Sequence, residues 1–190
     1  MGKISLIVTI FLIFLIYGCT GENKNEANLE LKTKSEVQKL NQVSTIGTQV
    51  GNIPYDFVVV TTESKAVRLN DFIENKKPVI VYFMATWCPW CAKDYAALSK
   101  VYKDYENNIS MISISLDLNE DLLTLREYKK KYPELQNTIF AQGQYEILAN
   151  YKVTKTTTKY AIDRNGKIIY AGFGAFDEEQ WKILLDELSK

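Results

Sequence analysis

The sequence contains no histidine, and this absence excludes several kinds of catalytic and metal site. A Ser-His-Asp triad, a zinc site with histidine ligands and a histidine general base all require an imidazole. Covalently attached haem is excluded as well, because Ala92 follows Cys91 where the haem attachment motif has histidine. Any proton transfer in this chain therefore has to use another kind of side chain.

Cysteine is scarce, and neither sign of charge is in excess. The three cysteines are Cys19, Cys88 and Cys91, too few for a four-cysteine zinc site or a disulfide-rich scaffold. The 23 basic and 23 acidic side chains leave no net charge, so nothing favours nucleic acid as a partner. Cys88 and Cys91 remain as a lone close pair.

Ile4 to Tyr17 is an apolar run that only Ser5 and Thr9 interrupt. It is shorter than the roughly 20 residues that a membrane-spanning helix needs, so we predict that residues 1–18 are an export signal. Ile16-Tyr17-Gly18-Cys19 resembles the lipobox of bacterial lipoproteins, which implies that Cys19 is lipidated after cleavage. The alternative is an uncleaved signal anchor. Both place the rest of the chain outside the cytoplasmic membrane.

Residues 19–50 are polar, with few apolar side chains and no aromatic ones. Such a segment cannot bury enough surface to offset its chain entropy, so we predict a flexible tether that holds the following domain clear of the membrane. Residues 51–190 are predicted to form one globular domain, and the 46% hydrophobic content of the chain is enough for a core.

Predicted strands and helices alternate along this domain. Val79 to Met84 is continuously apolar, which is typical of a strand covered on both faces. Asn165-Gly166 indicates a hairpin near the end. The predicted strands are 57–61, 67–69, 79–84, 111–116, 138–140, 158–163 and 167–170, and the predicted helices are 70–73, 89–105, 120–131, 144–150 and 177–188. This order predicts an α/β fold with a central mixed sheet flanked by helices on both faces.

Cys88-Pro89-Trp90-Cys91 stands where the strand 79–84 passes into a helix. The free N–H groups and positive dipole of a helix start favour thiolate over thiol, and Pro89 suits the first helical position. We predict that Cys88 is an exposed nucleophile and that the more buried Cys91 is the resolving thiol, with no metal ion and no dissolved cofactor. A purely structural disulfide is the alternative, but so small a ring removes little chain entropy.

Four stretches resemble the thioredoxin fold and, within it, the TlpA/ResA-like lipoprotein branch. They are residues 83–91, Asp94, residues 151–153 and residues 162–168. The resemblance covers residues 51–190. It implies a thiol–disulfide oxidoreductase that faces the extracytoplasmic space, with protein thiols and disulfides and a membrane electron-transfer protein as partners.

The resemblance also implies roles for residues near the sulfurs. Asp94 stands where the family often has a glutamate that manages the proton of the buried cysteine, although a solvated aspartate near a helix start is the alternative. Trp87 and Trp90, with Pro89 between them, are predicted to form an apolar docking platform, the alternative being a cover for the core edge. Thr156 and Thr157 fall in the loop that normally meets the substrate, where Thr157 replaces the usual cis-proline.

Two other functions stay open. A peroxiredoxin-like peroxidase is disfavoured because Thr86 has the wrong spacing from Cys88 and Arg126 has no supporting motif. The other is a binding lipoprotein that keeps the fold without redox activity, to which Thr157 in place of the usual proline gives some weight.

Overall fold

The computed structural model describes residues 45–190, so the predicted signal peptide, Cys19 and nearly all of the predicted tether lie outside the described residues. Within residues 45–190, no helix has both the length and the apolar character to cross a membrane. The Gly47 N–H donates to the carbonyl of Ile53, and the Ile53 N–H donates to that of Thr45, both at 2.9 Å. The compact unit therefore begins somewhat before the predicted boundary at Gly51.

The described residues form strands and helices in the predicted alternation. The strands are β1 (Val58–Val60), β2 (Ala66–Arg68), β3 (Val79–Met84), β4 (Ser110–Ser115), β5 (Ile139–Ala141), β6 (Thr158–Ile162) and β7 (Ile168–Gly172). The helices are α1 (Leu69–Glu74), α2 (Pro89–Val101), α3 (Leu122–Lys129), α4 (Tyr145–Asn150) and α5 (Glu178–Leu188), with short 3₁₀ turns at Tyr102–Asp104 and Pro133–Leu135. The helix predicted over 89–105 is thus shorter, because its last turn tightens into the first of these 3₁₀ turns.

Five strands make one mixed sheet in the order β5-β4-β3-β6-β7. Strand β3 pairs in parallel with β4, and β4 with β5, whereas β6 is antiparallel to both β3 and β7. β3 is central, and all of its residues are buried, as its continuous apolar sequence predicts. Strands β1 and β2 form a separate antiparallel pair.

Successive side chains of β3 enter two cores on opposite faces of the sheet. Ile80, Tyr82 and Met84 pack with α2, α3 and α5. Val79, Val81 and Phe83 pack with α4, the start of α1 and the β1–β2 pair. The predicted mixed sheet with helices on both faces is confirmed. The carboxyl end of β3 leads directly into α2, which places the cysteine pair at that end of the sheet.

Residues from the amino-terminal part of the domain form backbone hydrogen bonds with both edge strands of the sheet. At the β5 edge, Thr61 bridges Ala141, and the Thr62 N–H donates to the carbonyl of Phe140 at 2.8 Å. At the β7 edge, Ile168 accepts from the Gly51 N–H at 2.8 Å and donates to the carbonyl of Asn52 at 2.9 Å.

Candidate active site

Cys88 is the N-cap of α2, with Pro89 at the start of the helix. Its Sγ accepts a hydrogen bond from the Cys91 N–H at 3.1 Å, so a free donor of the first helical turn points at the sulfur as predicted. Its thiol also donates to Thr156 Oγ1 at 3.2 Å. Only 3% of Cys88 is exposed, so the prediction of an exposed sulfur is wrong. The loop that carries Thr156 folds against it.

Cys91 lies one turn into α2 and is completely buried. Burial raises the pKa of its thiol to about 12, and its interaction with Cys88 acts in the same direction. Both cysteines are in the free thiol form. A resolving thiol with so high a pKa reacts only when a nearby group accepts its proton.

Asp94 lies beneath the sulfurs and has no exposed surface. Its carboxylate accepts from the Tyr82 hydroxyl at 3.0 Å and from the Phe176 N–H at 3.0 Å, and it pairs with Lys159 Nζ at 2.7 Å. Burial raises the pKa of Asp94, and the charge of Lys159 opposes that rise. The alternative of a solvated aspartate is therefore wrong.

Lys159 is a residue that sequence reasoning missed. It belongs to β6, all of whose residues are buried, and its side chain has no exposed surface. The spacing along the strand could have revealed it, because residues two apart lie on the same face of a sheet. Ala161 packs in the core beneath α2, so Lys159 also faces that core. A lysine rarely occupies such a position without a partner.

Glu120 is a second residue that the sequence did not single out. This buried carboxylate accepts from the Thr86 N–H at 2.8 Å, from the Thr86 hydroxyl at 2.5 Å and from the Ser115 hydroxyl at 2.6 Å. It therefore fixes the connection between β3 and α2 to the end of β4, just before Cys88.

An open groove of about 620 Å³ runs beside the cysteine pair. Trp87 is 63% exposed, and its indole N–H donates to Asp117 at 2.9 Å. Lys93 lies 4.5 Å over the ring of Trp90. The residues that line the groove include Trp87, Trp90, Lys155, Thr156, Thr157 and Phe173. Four of the five predicted substrate-binding residues thus share one surface, since Pro89 is exposed but is not part of the lining.

Thr157 has a positive φ of 60°, which is uncommon for a β-branched residue. Its hydroxyl accepts from the Gly174 N–H at 3.0 Å and donates to the carbonyl of Thr156 at 2.5 Å. These bonds hold the backbone in that conformation. The loop with Thr157 in place of proline is therefore tied to the segment that follows β7.

Two observations concern the peroxidase alternative and metal binding. The guanidinium of Arg126 binds the carbonyl of Thr62, in the connection between β1 and β2, by its Nε at 3.0 Å. Arg126 is thus engaged at the β5 edge of the sheet. Within residues 45–190, no group of three or more histidine, cysteine, aspartate or glutamate side chains is arranged to hold a metal ion.

Comparisons with known proteins agree with this geometry. A sequence model described as the AhpC/TSA family matches residues 50–171. The thiol–disulfide oxidoreductase ResA of Bacillus cereus is 26% identical over 189 residues, which cover 100% of this chain and 99% of that protein.

Solved structures with the same fold include a putative protein disulfide isomerase from Bacteroides thetaiotaomicron. It has a TM-score of 0.63 and 22% identity, over 77% of this chain and 95% of that one. A thiol:disulfide interchange protein of the thioredoxin family from Chlorobium tepidum has a TM-score of 0.62 and 20% identity, over 71% and 94%. The thioredoxin-like fold predicted from the sequence is confirmed.

Proposed function

This chain belongs to the AhpC/TSA family and is homologous over its full length to ResA thiol–disulfide oxidoreductases, and we propose that it exchanges disulfides with extracytoplasmic protein partners through Cys88 and Cys91. The observation that carries the proposal is the placement of the two sulfurs. Cys88 caps a helix and accepts the Cys91 N–H, while Cys91 lies buried one turn behind it.

The reaction begins at Cys88. Its thiolate attacks one sulfur of a partner disulfide, that S–S bond breaks, and a mixed disulfide forms while the other partner sulfur leaves as a thiolate. The Cys91 N–H at 3.1 Å stabilises the Cys88 thiolate, and the Thr156 hydroxyl at 3.2 Å can turn to donate to it.

Cys91 completes the exchange. It gives up its proton and attacks Cys88 Sγ, which releases the partner as a dithiol and leaves the Cys88–Cys91 disulfide, so that two electrons pass to the partner. Asp94 is the proposed proton acceptor, because it binds the Tyr82 hydroxyl at 3.0 Å and Tyr82 is packed in the same buried core as Cys91. The same reaction steps can run in reverse, so the same residues serve reduction and oxidation of the partner.

The groove provides the proposed docking surface for the partner chain. Trp87, Trp90 and Phe173 are exposed aromatic residues, a residue class that is enriched at protein interfaces. Thr156 belongs both to this groove and to the surroundings of Cys88. A partner segment held there would lie next to the nucleophile, and Pro89 would meet it at the exposed first turn of α2.

The location of the protein is part of the proposal. A signal over residues 1–18, a lipid on Cys19 and a tether up to the domain would anchor the enzyme to the bacterial cell membrane on its extracytoplasmic side. A membrane electron-transfer protein would then restore the dithiol or the disulfide after each turnover. Homology to ResA supports this arrangement.

Trapping of the mixed disulfide tests the proposed reaction. Cys91→Ser should hold a defined peptide with one internal disulfide as a stable adduct on Cys88, visible as a mass increase that dithiothreitol removes. Cys88→Ser should form no adduct, because Cys91 has no exposed surface and burial raises the pKa of its thiol to about 12. No adduct on Cys91→Ser, together with no oxidation of the wild-type pair in glutathione buffers, would favour the redox-inactive binding protein. Hydrogen peroxide consumption without a dithiol partner would instead favour the peroxidase.

A further inference from the structure

Lys159 and Asp94 form an ion pair with no exposed surface on either side chain, and their charged atoms are 2.7 Å apart. Burying two charges removes both from water, and the mutual attraction repays this only when the remaining donors and acceptors are also satisfied. A buried ion pair therefore adds little net stability to a fold. The position of this pair beneath a reactive thiol points to a role in the reaction.

The ammonium group of Lys159 has a partner for each of its three donors. Besides Asp94, its Nζ donates to the carbonyl of Thr157 at 3.1 Å and to the carbonyl of Gly174 at 2.5 Å. The ring of Phe176 lies 4.4 Å from the same atom. Lys159 therefore joins the loop beside Cys88, the segment after β7 and the carboxylate under Cys91.

The carboxylate of Asp94 is connected to Cys91 through one side chain. Asp94 Oδ2 accepts from the Tyr82 hydroxyl at 3.0 Å, and Tyr82 and Cys91 are packed in the same buried core, where burial and, to a lesser degree, the Cys91 thiol raise the pKa of Tyr82. The four groups follow one another in the order Cys91, Tyr82, Asp94, Lys159. The cation is at the end of this chain.

We propose that Lys159 is a positioning residue of the disulfide exchange proposed above, on which this role rests: it keeps the buried cluster electrically neutral while Asp94 receives the proton of Cys91. Before the step, the cluster holds a neutral thiol, a carboxylate and an ammonium ion. After the step, it holds a thiolate, a carboxylic acid and the same ammonium ion. The sum of charges is zero in both states, so no net charge is created in the core.

The atoms balance along the same chain. The Tyr82 hydroxyl gives its proton to Asp94 Oδ2 and takes the proton of Cys91, so the phenol ends unchanged and the S–H electron pair stays on sulfur. Without Lys159, the carboxylate would be a lone buried anion and would take up a proton before the reaction begins. A protonated Asp94 cannot accept the proton of Cys91.

Several titratable groups face the pair from the elements packed around it. Burial raises the pKa values of the phenols of Tyr82, Tyr95, Tyr128 and Tyr170, so these stay neutral near pH 7. Burial raises the pKa of Asp94 and lowers that of Lys159, and each partner's charge opposes the shift of the other. Cys91 and Tyr95 lie on α2, Tyr82 on β3, Lys159 on β6 and Tyr170 on β7, whereas Cys88, the N-cap of α2, and Tyr128 on α3 belong to the same core as Cys91.

The test separates the two sulfur steps in time. The reduced full-length protein is mixed with 5,5′-dithiobis(2-nitrobenzoate), which releases one coloured thiolate when Cys88 attacks and a second when Cys91 displaces the first adduct. In Lys159→Met, the second release should slow at least tenfold relative to the first at neutral pH, and its pH profile should move upward by one unit or more. Lys159→Arg keeps the charge and should restore the wild-type profile.

A second comparison addresses folding. Asp94→Asn/Lys159→Met removes both charges and leaves no lone buried ion, so it provides a folded variant even if Lys159→Met unfolds. If Lys159 acts through Asp94, the double variant should be no slower in the second release than Asp94→Asn alone. Additive losses, or a wild-type profile in either variant that lacks the lysine, would overturn the role of Lys159. Absence of both releases in the wild type would instead overturn the exchange reaction itself.

Discussion

At the scale of single residues, the core beneath α2 holds several side chains that can ionise. Burial raises the pKa of Cys91 to about 12, and it raises the pKa of Tyr95 and Tyr102 as well. Each of these side chains is kept neutral in the folded protein at pH values where it would lose its proton in an unfolded chain. The folded state of the reduced protein is therefore sensitive to alkali.

Because Cys91 is buried as a neutral thiol, the free energy of unfolding of the reduced protein should fall as the pH rises through a defined alkaline range. An unfolded thiol ionises near pH 9.0, while the folded thiol keeps its proton up to about pH 12, so its contribution is complete below pH 9 and is lost as the pH rises from 9 to 12. We expect a slope of up to about 1.4 kcal/mol per pH unit from this group. Urea unfolding of reduced Cys91→Ala should show a shallower decline between pH 9 and 10 than the wild type.

Tyr102→Phe is the matched control for that measurement. The ordinary pKa of tyrosine is 10.0 and burial raises that of Tyr102, so removal of its hydroxyl should change the slope only above pH 10. Equal slopes for the wild type and Cys91→Ala between pH 9 and 10 would contradict the assigned burial of the thiol.

At the scale of elements, the periodicity of apolar residues was enough to predict most strands and helices. The continuous apolar run of β3 and the helix that ends at Leu188 are confirmed, because both patterns reflect burial within one element. The end of α2 was predicted too far along the chain, since the 3₁₀ turn after Val101 keeps Tyr102 buried at nearly helical spacing. Spacing alone does not distinguish the two kinds of turn.

The connection between β3 and α2 depends on Glu120, and its removal should weaken the fold. Glu120→Ala leaves the Thr86 N–H and the Thr86 hydroxyl without their acceptor, so we expect the free energy of unfolding to fall by about 2–3 kcal/mol. Glu127→Ala removes an exposed partner of Lys130 and should change it by less than about 0.5 kcal/mol. Urea denaturation compares the free energies of unfolding of the two variants. Equal losses would mean that Glu120 does not stabilise the connection between β3 and α2.

At the scale of the whole molecule, the sequence predicted the fold and the cysteine pair but only part of the site. The helix-capping role of Cys88 follows from local order along the chain, and the structure confirms it. Lys159 and Phe173 come from distant strands and segments, so their approach to Asp94 and to the groove depends on sheet topology. Their roles could not be derived from local patterns.

The segment before β1 belongs to the domain and should contribute to its stability. Removal of residues 1–53 deletes both backbone bonds to Ile168, each worth about 0.5–1.5 kcal/mol, whereas removal of residues 1–44 keeps them. We expect the shorter chain to unfold at a lower urea concentration, with a difference of about 1–3 kcal/mol. The same midpoint for both chains would mean that these bonds add nothing.

The bonds at the two edges of the sheet also bear on self-association. An edge strand with free N–H and C=O groups is a template onto which a strand of another molecule can add. Here Thr61 and Thr62 pair with residues of β5, and Gly51 and Asn52 form hydrogen bonds with the C=O and N–H groups of Ile168 at the start of β7. The amino-terminal part of the domain thus covers backbone groups at both edges of the sheet with which a strand of another molecule could otherwise pair.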